Sequence, residues 1–410
     1  MFGGISQSDR LFYHTLKLNI MKILRWLLLL AFVLPFVESC KKEDMSCPEK
    51  VGELRLNELQ VLGSHNSYRQ MTYAPILQFM RENPQMLPEG FNPNDWDYGH
   101  EPLETQLNTY GIRSIELDVF DDPAGGLFYN RMGLAIIGMS PESGEPALLQ
   151  PGLKVMHFPD LDYNTHFLTF KDALNAVKDW SDQHKEHVPI VIQIEPKEDN
   201  PFAMAGPPFT NTIPFSKSNL GTIDGEIKAV FGADLKNVIT PDDVRGDFET
   251  LNEAILKSRW PDMHEARGKV LFVMDGSGTE TADYLDGHAT LKDRVMFVYS
   301  EPGRPETAFL KYEDPTNLVQ EIQSYIEKGY IVRTRADADT KEARNGNTDR
   351  REAAILSGAQ IISTDYYRPD PRGANTPGWT NYFVKLPSAG VARPNPVTAP
   401  NDTKDCEIEE

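Results

Sequence analysis

The chain has 410 residues, is 40% hydrophobic and 25% charged, and carries a formal net charge of −20 with a pI near 4.9. That length allows one large α/β domain or two smaller ones. The acidic balance argues against nucleic acid as a partner, because phosphates would be repelled, and against adsorption to an anionic membrane through a basic patch. An acidic enzyme can still act on lipid where its site is locally cationic.

The N-terminus reads as a targeting segment. Met21-Lys-Ile-Leu-Arg25 is basic, and Trp26 to Val37 is an apolar run of twelve residues interrupted by Pro35. The run is too short to span a bilayer and suits a secretory signal. It ends at Val37-Glu-Ser-Cys40, followed by Lys41-Lys-Glu-Asp44. Cleavage before a cysteine resembles the lipoprotein signals of Gram-negative bacteria, although Glu38 departs from the small residue usual there. Residues 1–20 have no signal logic, so translation is expected to start at Met21. The expected product is an exported outer-membrane lipoprotein, surface-exposed and anchored by lipid on Cys40; an ordinary signal peptide giving a periplasmic or secreted protein is the alternative. Cys47 and Cys406 then remain, either paired in an oxidising compartment or free on mobile tails.

After an acidic linker (40–55), the first strand signal is Leu59-Gln-Val-Leu-Gly-Ser64. Residues 69–100, rich in Pro, Asn and Gly, read as a long irregular loop. Glu101 to Tyr110 suits a short helix closed by Gly111. Gly111 to Phe120 is the second strand, and a Gly/Pro-rich insertion covers 121–152. Leu153 to His157 is read as the third strand. Leu168 to His187 has helical spacing, with Phe170, Leu174, Val177 and Trp180 on one face. Further strands are expected at 189–194, 269–274, 294–299, 329–335 and 359–363, with a helix over 318–328 and another starting at an Asp349/Glu352 capping box and closed by Gly358. Residues 369–410 read as an irregular tail.

Eight strands alternating with helical or long connections predict parallel β/α units, and eight closes a (β/α)₈ TIM barrel over 56–368. An open doubly wound sheet would need a Gly-rich phosphate loop after an early strand. Asp275-Gly-Ser-Gly278 lacks that spacing.

The second strand is the centre of the chemistry. Ile115, Leu117 and Val119 alternate with Ser114, Glu116 and Asp118, the period of a β-strand. On an enclosed face, two carboxylates about 4 Å apart repel by about 4 kcal/mol at an effective dielectric of about 20. Something positive has to meet them, either a metal or Lys197, Arg333 and Arg335. Other polar residues also fall at predicted strand ends: His65, Asn66, His157, Glu195 and Asp365. In a barrel these ends share one face, where active sites of this fold lie. Asn66, Glu116, Asp118 and Glu195 form an all-oxygen donor set that favours calcium, with magnesium less favoured. His65 and His157 are left for acid–base work. His100, His166, His184, His187, His264 and His288 fall in loops or on helices and carry no assigned chemistry. The strand-end residues together suggest a metal-assisted phosphodiesterase.

Leu62-Gly-Ser-His-Asn-Ser-Tyr68, Ile115-Glu-Leu-Asp118, Val155-Met-His157, Ile194-Glu-Pro-Lys197, Val332-Arg-Thr-Arg-Ala-Asp337 and Gly358-Ala-Gln-Ile-Ile-Ser-Thr-Asp-Tyr366 resemble, in order, the calcium-dependent phosphatidylinositol-specific phospholipase C family. The resemblance implies a distorted (β/α)₈ barrel that cleaves phosphoinositides to diacylglycerol and inositol 1,2-cyclic phosphate or inositol phosphate. It makes His65 and His157 the catalytic pair, with calcium on Asn66, Glu116, Asp118 and Glu195. Lys197, Arg333, Arg335 and Asp365 would contact the headgroup, and Tyr366 or Tyr367 would stack on its ring. The expected partners are a phosphodiester lipid and a membrane surface, for a monomeric protein. Two rivals stand beside this reading. One is a glycerophosphodiester phosphodiesterase on the same fold, whose usual His-Arg-Gly opening is replaced here by Ser64-His-Asn-Ser67. The other is a non-catalytic surface lipoprotein that captures phosphorylated polyols.

Overall fold

The computed structural model describes residues 45–198, 200, 202 and 209–410; the expected leader and Cys40 lie outside them. Ten strands occur among the described residues. They are β1 (Leu59–Ser64), β2 (Ser114–Phe120), β3 (Lys154–Val155), β4 (Ile190–Pro196), β5 (Val270–Met274), β6 (Phe297–Val298), β7 (Phe309–Tyr312), β8 (Ile331–Arg335), β9 (Ile361–Thr364) and β10 (Ala392–Pro394). Eight pair in parallel in the order β6-β5-β4-β2-β1-β9-β8-β7. A parallel bridge between Tyr299 and Phe309, beside β6 and β7, joins the two ends. The result is a distorted (β/α)₈ barrel. Its strands are largely buried on both faces because helices cover the outside. All five residues of β5, Val-Leu-Phe-Val-Met, are buried. The helix Phe170–Gln183 packs Phe170, Leu174, Val177 and Trp180 inward, as its spacing predicts.

One expected barrel strand is not in the barrel. Residues 153–157 supply only β3, which runs antiparallel to β2 through Val119↔Val155 and Phe120↔Lys154. The chain doubles back after the 121–152 insertion without a crossover helix, so an antiparallel return is the short path. The eighth barrel strand is β7, whose Phe-Leu-Lys-Tyr gives too short a run to stand out beside the Gly/Pro-rich loop before it.

The 69–100 segment is not wholly irregular. Ala74–Glu82 is a helix with Pro75 in its first turn and Ile76, Leu77 and Met80 buried, a position where proline costs no hydrogen bond. With the 121–152 insertion it builds a second apolar cluster that includes Trp96, Phe128, Leu134, Leu161 and Phe202. The helix Asp349–Ser357 forms without the expected box: Thr348 precedes it and its hydroxyl meets Glu352 at 2.7 Å.

β1 and β2 touch at Gly63↔Ser114. A Cβ on Gly63 would lie 2.9 Å from Ser114 Cβ and 3.1 Å from its carbonyl oxygen, so this approach requires glycine. The tail lines up below that contact. β10 runs antiparallel along Leu59–Val61, Glu410 pairs with the buried Arg113, and a disulfide joins Cys406 to Cys47. No helix of the described residues is long and apolar enough to cross a membrane.

Candidate active site

Strand register assembles the acids. The β2–β4 ladder pairs Asp118 with Glu195 and Glu116 with Gln193. Side chains of residues level in a parallel ladder point to the same face, so three carboxylates converge. One oxygen from each of Glu116, Asp118 and Glu195 lies within 4.8 Å of the others. Asn66 follows β1 in a left-handed conformation (φ 50°), and its side-chain amide donates to the Tyr98 hydroxyl at 3.2 Å. Arg333 reaches across from β8 and donates to Glu116 at 2.9 Å and to Glu313 at 2.6 Å. Lys197 lies 3.0 Å from Glu195 and 3.8 Å from Asp118.

These cations do not satisfy the cluster. Both carboxylate oxygens of Asp118 and the amide oxygen of Asn66 are buried without a hydrogen-bond partner, a costly state for such groups. Burial pushes Glu116 up to about 7 against the pull of Arg333. Burial, then Glu195, push Asp118 well above the usual carboxylate range. An all-oxygen donor set with orphaned lone pairs fits a hard divalent cation.

Each histidine is held by an aspartate. His65 Nδ1 lies 2.8 Å from Asp365 Oδ1, and Arg335 donates to the same carboxylate at 2.8 Å. Asp365 is therefore kept ionised: burial opposes this, but His65 and Arg335 outweigh it and hold its pKa well below the usual range. The carboxylate assigns the proton to Nδ1, which leaves Nε2 facing Arg335 Nη1 at 3.3 Å and Glu116 at 3.6 Å. Burial, then Arg335, lower the His65 pKa to about 3, so its imidazole is neutral. His157 Nδ1 lies 2.7 Å from Asp162 Oδ2, and burial lowers its pKa to about 4. Trp96 and Phe158 pack edge-on against its ring.

His65, His157, Arg335 and Asp365 line one cleft of about 240 Å³, with Phe91, Trp96 and Tyr98 as its aromatic wall. Tyr366 and Tyr367 are not brought to it. Tyr366 is buried beside Tyr98 and Tyr382. Tyr367 stacks on His100, and its hydroxyl accepts from the Glu101 amide at 2.9 Å. Several contributing residues carry no strand-end signal in the sequence. Asp162 lies five residues beyond His157, Glu313 follows the unrecognised β7, and Trp96 and Tyr98 sit in the first insertion. His100, left without a role by the sequence, braces the His65 carbonyl at 2.7 Å.

A parallel barrel with an oxygen-only cation cradle, beside a cleft lined by two aspartate-backed imidazoles, has the layout of a metal-assisted phosphodiesterase. Residues 54–396 match the family model of Ca2+-dependent phosphoinositide phospholipase C, and the chain belongs to that family. Among solved structures it is similar to a calcium-dependent phosphoinositol-specific phospholipase C from Pseudomonas sp, at 16% identity and TM-score 0.45, over 82% of this chain and 97% of that one. A Ca+2 dependent phosphatidylinositol-specific phospholipase C from Streptomyces antibioticus is 17% identical at TM-score 0.45, over 76% and 95%. A glycerophosphoryl diester phosphodiesterase from Parabacteroides distasonis is 11% identical at TM-score 0.29, over 79% and 89%. No curated protein matches the chain.

Proposed function

We propose that the protein cleaves phosphatidylinositol between glycerol and phosphate, releasing diacylglycerol and inositol 1,2-cyclic phosphate, which water can later open. The observation that carries this reading is the Asp118 carboxylate, buried without a hydrogen bond beside Glu116 and Glu195, next to a cleft that holds two aspartate-backed histidines. Asn66, Glu116, Asp118 and Glu195 would hold calcium. When bound, it supplies positive charge that favours the ionised inositol 2-hydroxyl and offsets charge building on phosphorus.

The chain's own residues supply the proton transfers. Neutral His65, with Nε2 free of the Asp365 contact, accepts the proton of the 2-hydroxyl as its oxygen attacks phosphorus. The bond from phosphorus to the glycerol oxygen breaks, and His157 protonates that oxygen. A phosphodiester anion beside His157 favours its charged form, and Asp162 supports the imidazolium. Arg335 lines the cleft for the phosphate or ring hydroxyls. Lys197 and Arg333 already face carboxylates, so they suit ring hydroxyls better than additional ring phosphates. The Cys47–Cys406 disulfide supports export to an oxidising compartment. Lipid anchoring at Cys40 belongs to the same proposal and is tested by palmitate labelling that Cys40→Ala abolishes.

The deciding experiment incubates purified protein with phosphatidylinositol, with and without a calcium chelator, and identifies the water-soluble product. Inositol 1,2-cyclic phosphate that disappears with chelator is expected. Glycerol phosphate from glycerophosphodiesters would favour the glycerophosphodiesterase. Tight binding without turnover would favour a capture protein.

A further inference from the structure

The stretch Val332-Arg-Thr-Arg-Ala-Asp337 ends on a carboxylate behind the catalytic cleft. Asp337 follows β8, is fully buried and does not line the cleft. The β8–β9 ladder runs out where the Ala336 amide meets the Ser363 carbonyl at 2.9 Å. Beyond that point the Asp337 side chain takes the place of a further rung. Its Oδ1 accepts from the Asp365 backbone amide at 2.8 Å, and its Oδ2 accepts from the Thr364 hydroxyl. Tyr382, from the stretch expected to be an irregular tail, braces the corner from behind. Its hydroxyl donates to the Ala336 carbonyl at 2.9 Å and lies 3.3 Å from Asp337 Oδ2.

Asp365 is thereby held at both ends. His65 Nδ1 and Arg335 meet its two carboxylate oxygens, each at 2.8 Å, and fix where the side chain finishes. Asp337 holds its amide and so fixes where the side chain starts. A buried amide at the end of a ladder needs some acceptor, but this one belongs to the residue that orients the His65 ring. Burial, then Asp365, raise the Asp337 pKa. Against burial, His65 and Arg335 hold Asp365 low. The negative charge of the pair therefore rests on Asp365, the member that faces the imidazole. We infer that Asp337 is a positioning residue for the base: through the Asp365 amide it sets the pose in which Asp365 grips His65 Nδ1. This rests on the phospholipase reading, in which His65 is the base, and extends it to the support behind that base.

The test compares Asp337→Ala, which removes the acceptor, with Asp337→Asn, whose amide oxygen can replace Oδ1. Turnover of phosphatidylinositol gives kcat and KM. Heteronuclear NMR of isotopically labelled histidine gives the His65 Nδ1–H signal, assigned by its absence in His65→Ala. Asp337→Ala should lower kcat by about 10²-fold, the cost of misplacing a reacting group by about 1 Å. KM should stay unchanged, because Asp337 does not reach the cleft, and the His65 signal should be lost to exchange with water. Asp337→Asn should restore both rate and signal. An intact His65 signal in Asp337→Ala would overturn the proposal, as would a wild-type kcat or a loss that Asp337→Asn does not restore. A lower melting temperature with rate and signal unaltered would make Asp337 a cap of the sheet and nothing more. If Asp337→Ala does not fold, Tyr382→Phe decides instead: a smaller fall in kcat at unchanged KM upholds the proposal, and wild-type kinetics reject it. Should the wild type turn over no phosphatidylinositol, the phospholipase reading fails, and the His65 signal alone decides whether Asp337 positions the ring.

Discussion

Asp162 serves three neighbours with one buried carboxylate. It meets His157 Nδ1 at 2.7 Å, Arg69 at 2.7 and 2.9 Å, and Thr72 at 2.7 Å. Burial raises its pKa, but Arg69 and the bonds from His157 and Thr72 outweigh it and leave Asp162 below the usual carboxylate range. Arg69 also donates to the carbonyls of Trp96 and Tyr98, so the aspartate that orients the imidazole also anchors the aromatic wall. Asp162→Asn should lower kcat by about 10² to 10⁴, since an orienting carboxylate sets the tautomer. It should also cost about 3 kcal/mol or more, because Arg69 would keep an uncompensated buried charge. Steady-state kinetics and chemical denaturation read the two effects separately.

The raised carboxylates make a second prediction at this scale. Glu116 sits near 7 and Asp118 well above its ordinary value. A bound cation needs both ionised, so binding releases protons and calcium affinity should rise as pH goes from about 6 to about 8. Calorimetry in buffers of different ionisation enthalpy would measure the proton release. The stabilisation by calcium in thermal melts should be larger at the upper end of that range than at the lower. Equal affinity at both ends would contradict the assignment of Glu116 and Asp118 as ligands.

Among elements, the β1–β2 seam is the sensitive one. Gly63 brings the strands together at Ser114, and His65 and Asn66 follow within three residues. Gly63→Ala places a methyl against the Ser114 side chain and carbonyl. The strands must part, at about 1–3 kcal/mol of overpacking strain, and both site residues move with β1. The expected result is a moderate fall in melting temperature with a disproportionate loss of kcat. A Gly63→Ala variant with wild-type kinetics would show that the seam does not position the site. Element identity was partly legible beforehand. β1, β4, β5, β6, β8 and β9 announce themselves as strand-like runs bounded by turn residues, and β2 by its alternation. β7 does not, and β3 looks like a barrel strand although its partner is antiparallel, because a local pattern carries no information about direction of pairing.

For the whole molecule, the two ends of the described chain are fastened together beneath the barrel. The Cys47–Cys406 disulfide closes a separation of 359 residues, and Arg113 binds Glu410. Reduction should lower stability by about 2–4 kcal/mol through the unfolded chain. The lowered melting midpoint should come without loss of activity at room temperature, because the active face is at the opposite end. A melt with and without reductant, paired with an activity assay, checks both halves.

Residue order alone determined the class of fold and made most of the candidate site legible. The period-two alternation of Ile115 to Val119 and the polar residues at strand ends are local consequences of which face is buried, so they can be read without coordinates. The motifs from Leu62 to Tyr366 carry the family in the same linear way. Tertiary structure alone decided which strand is the eighth, that Asp118 stands level with Glu195, that Arg333 crosses the barrel to Glu116, and that Asp162 backs His157. Each of these depends on closing a loop and choosing a register between segments far apart in the chain. That choice is made by the summed packing of the barrel, not by the preferences of any short stretch.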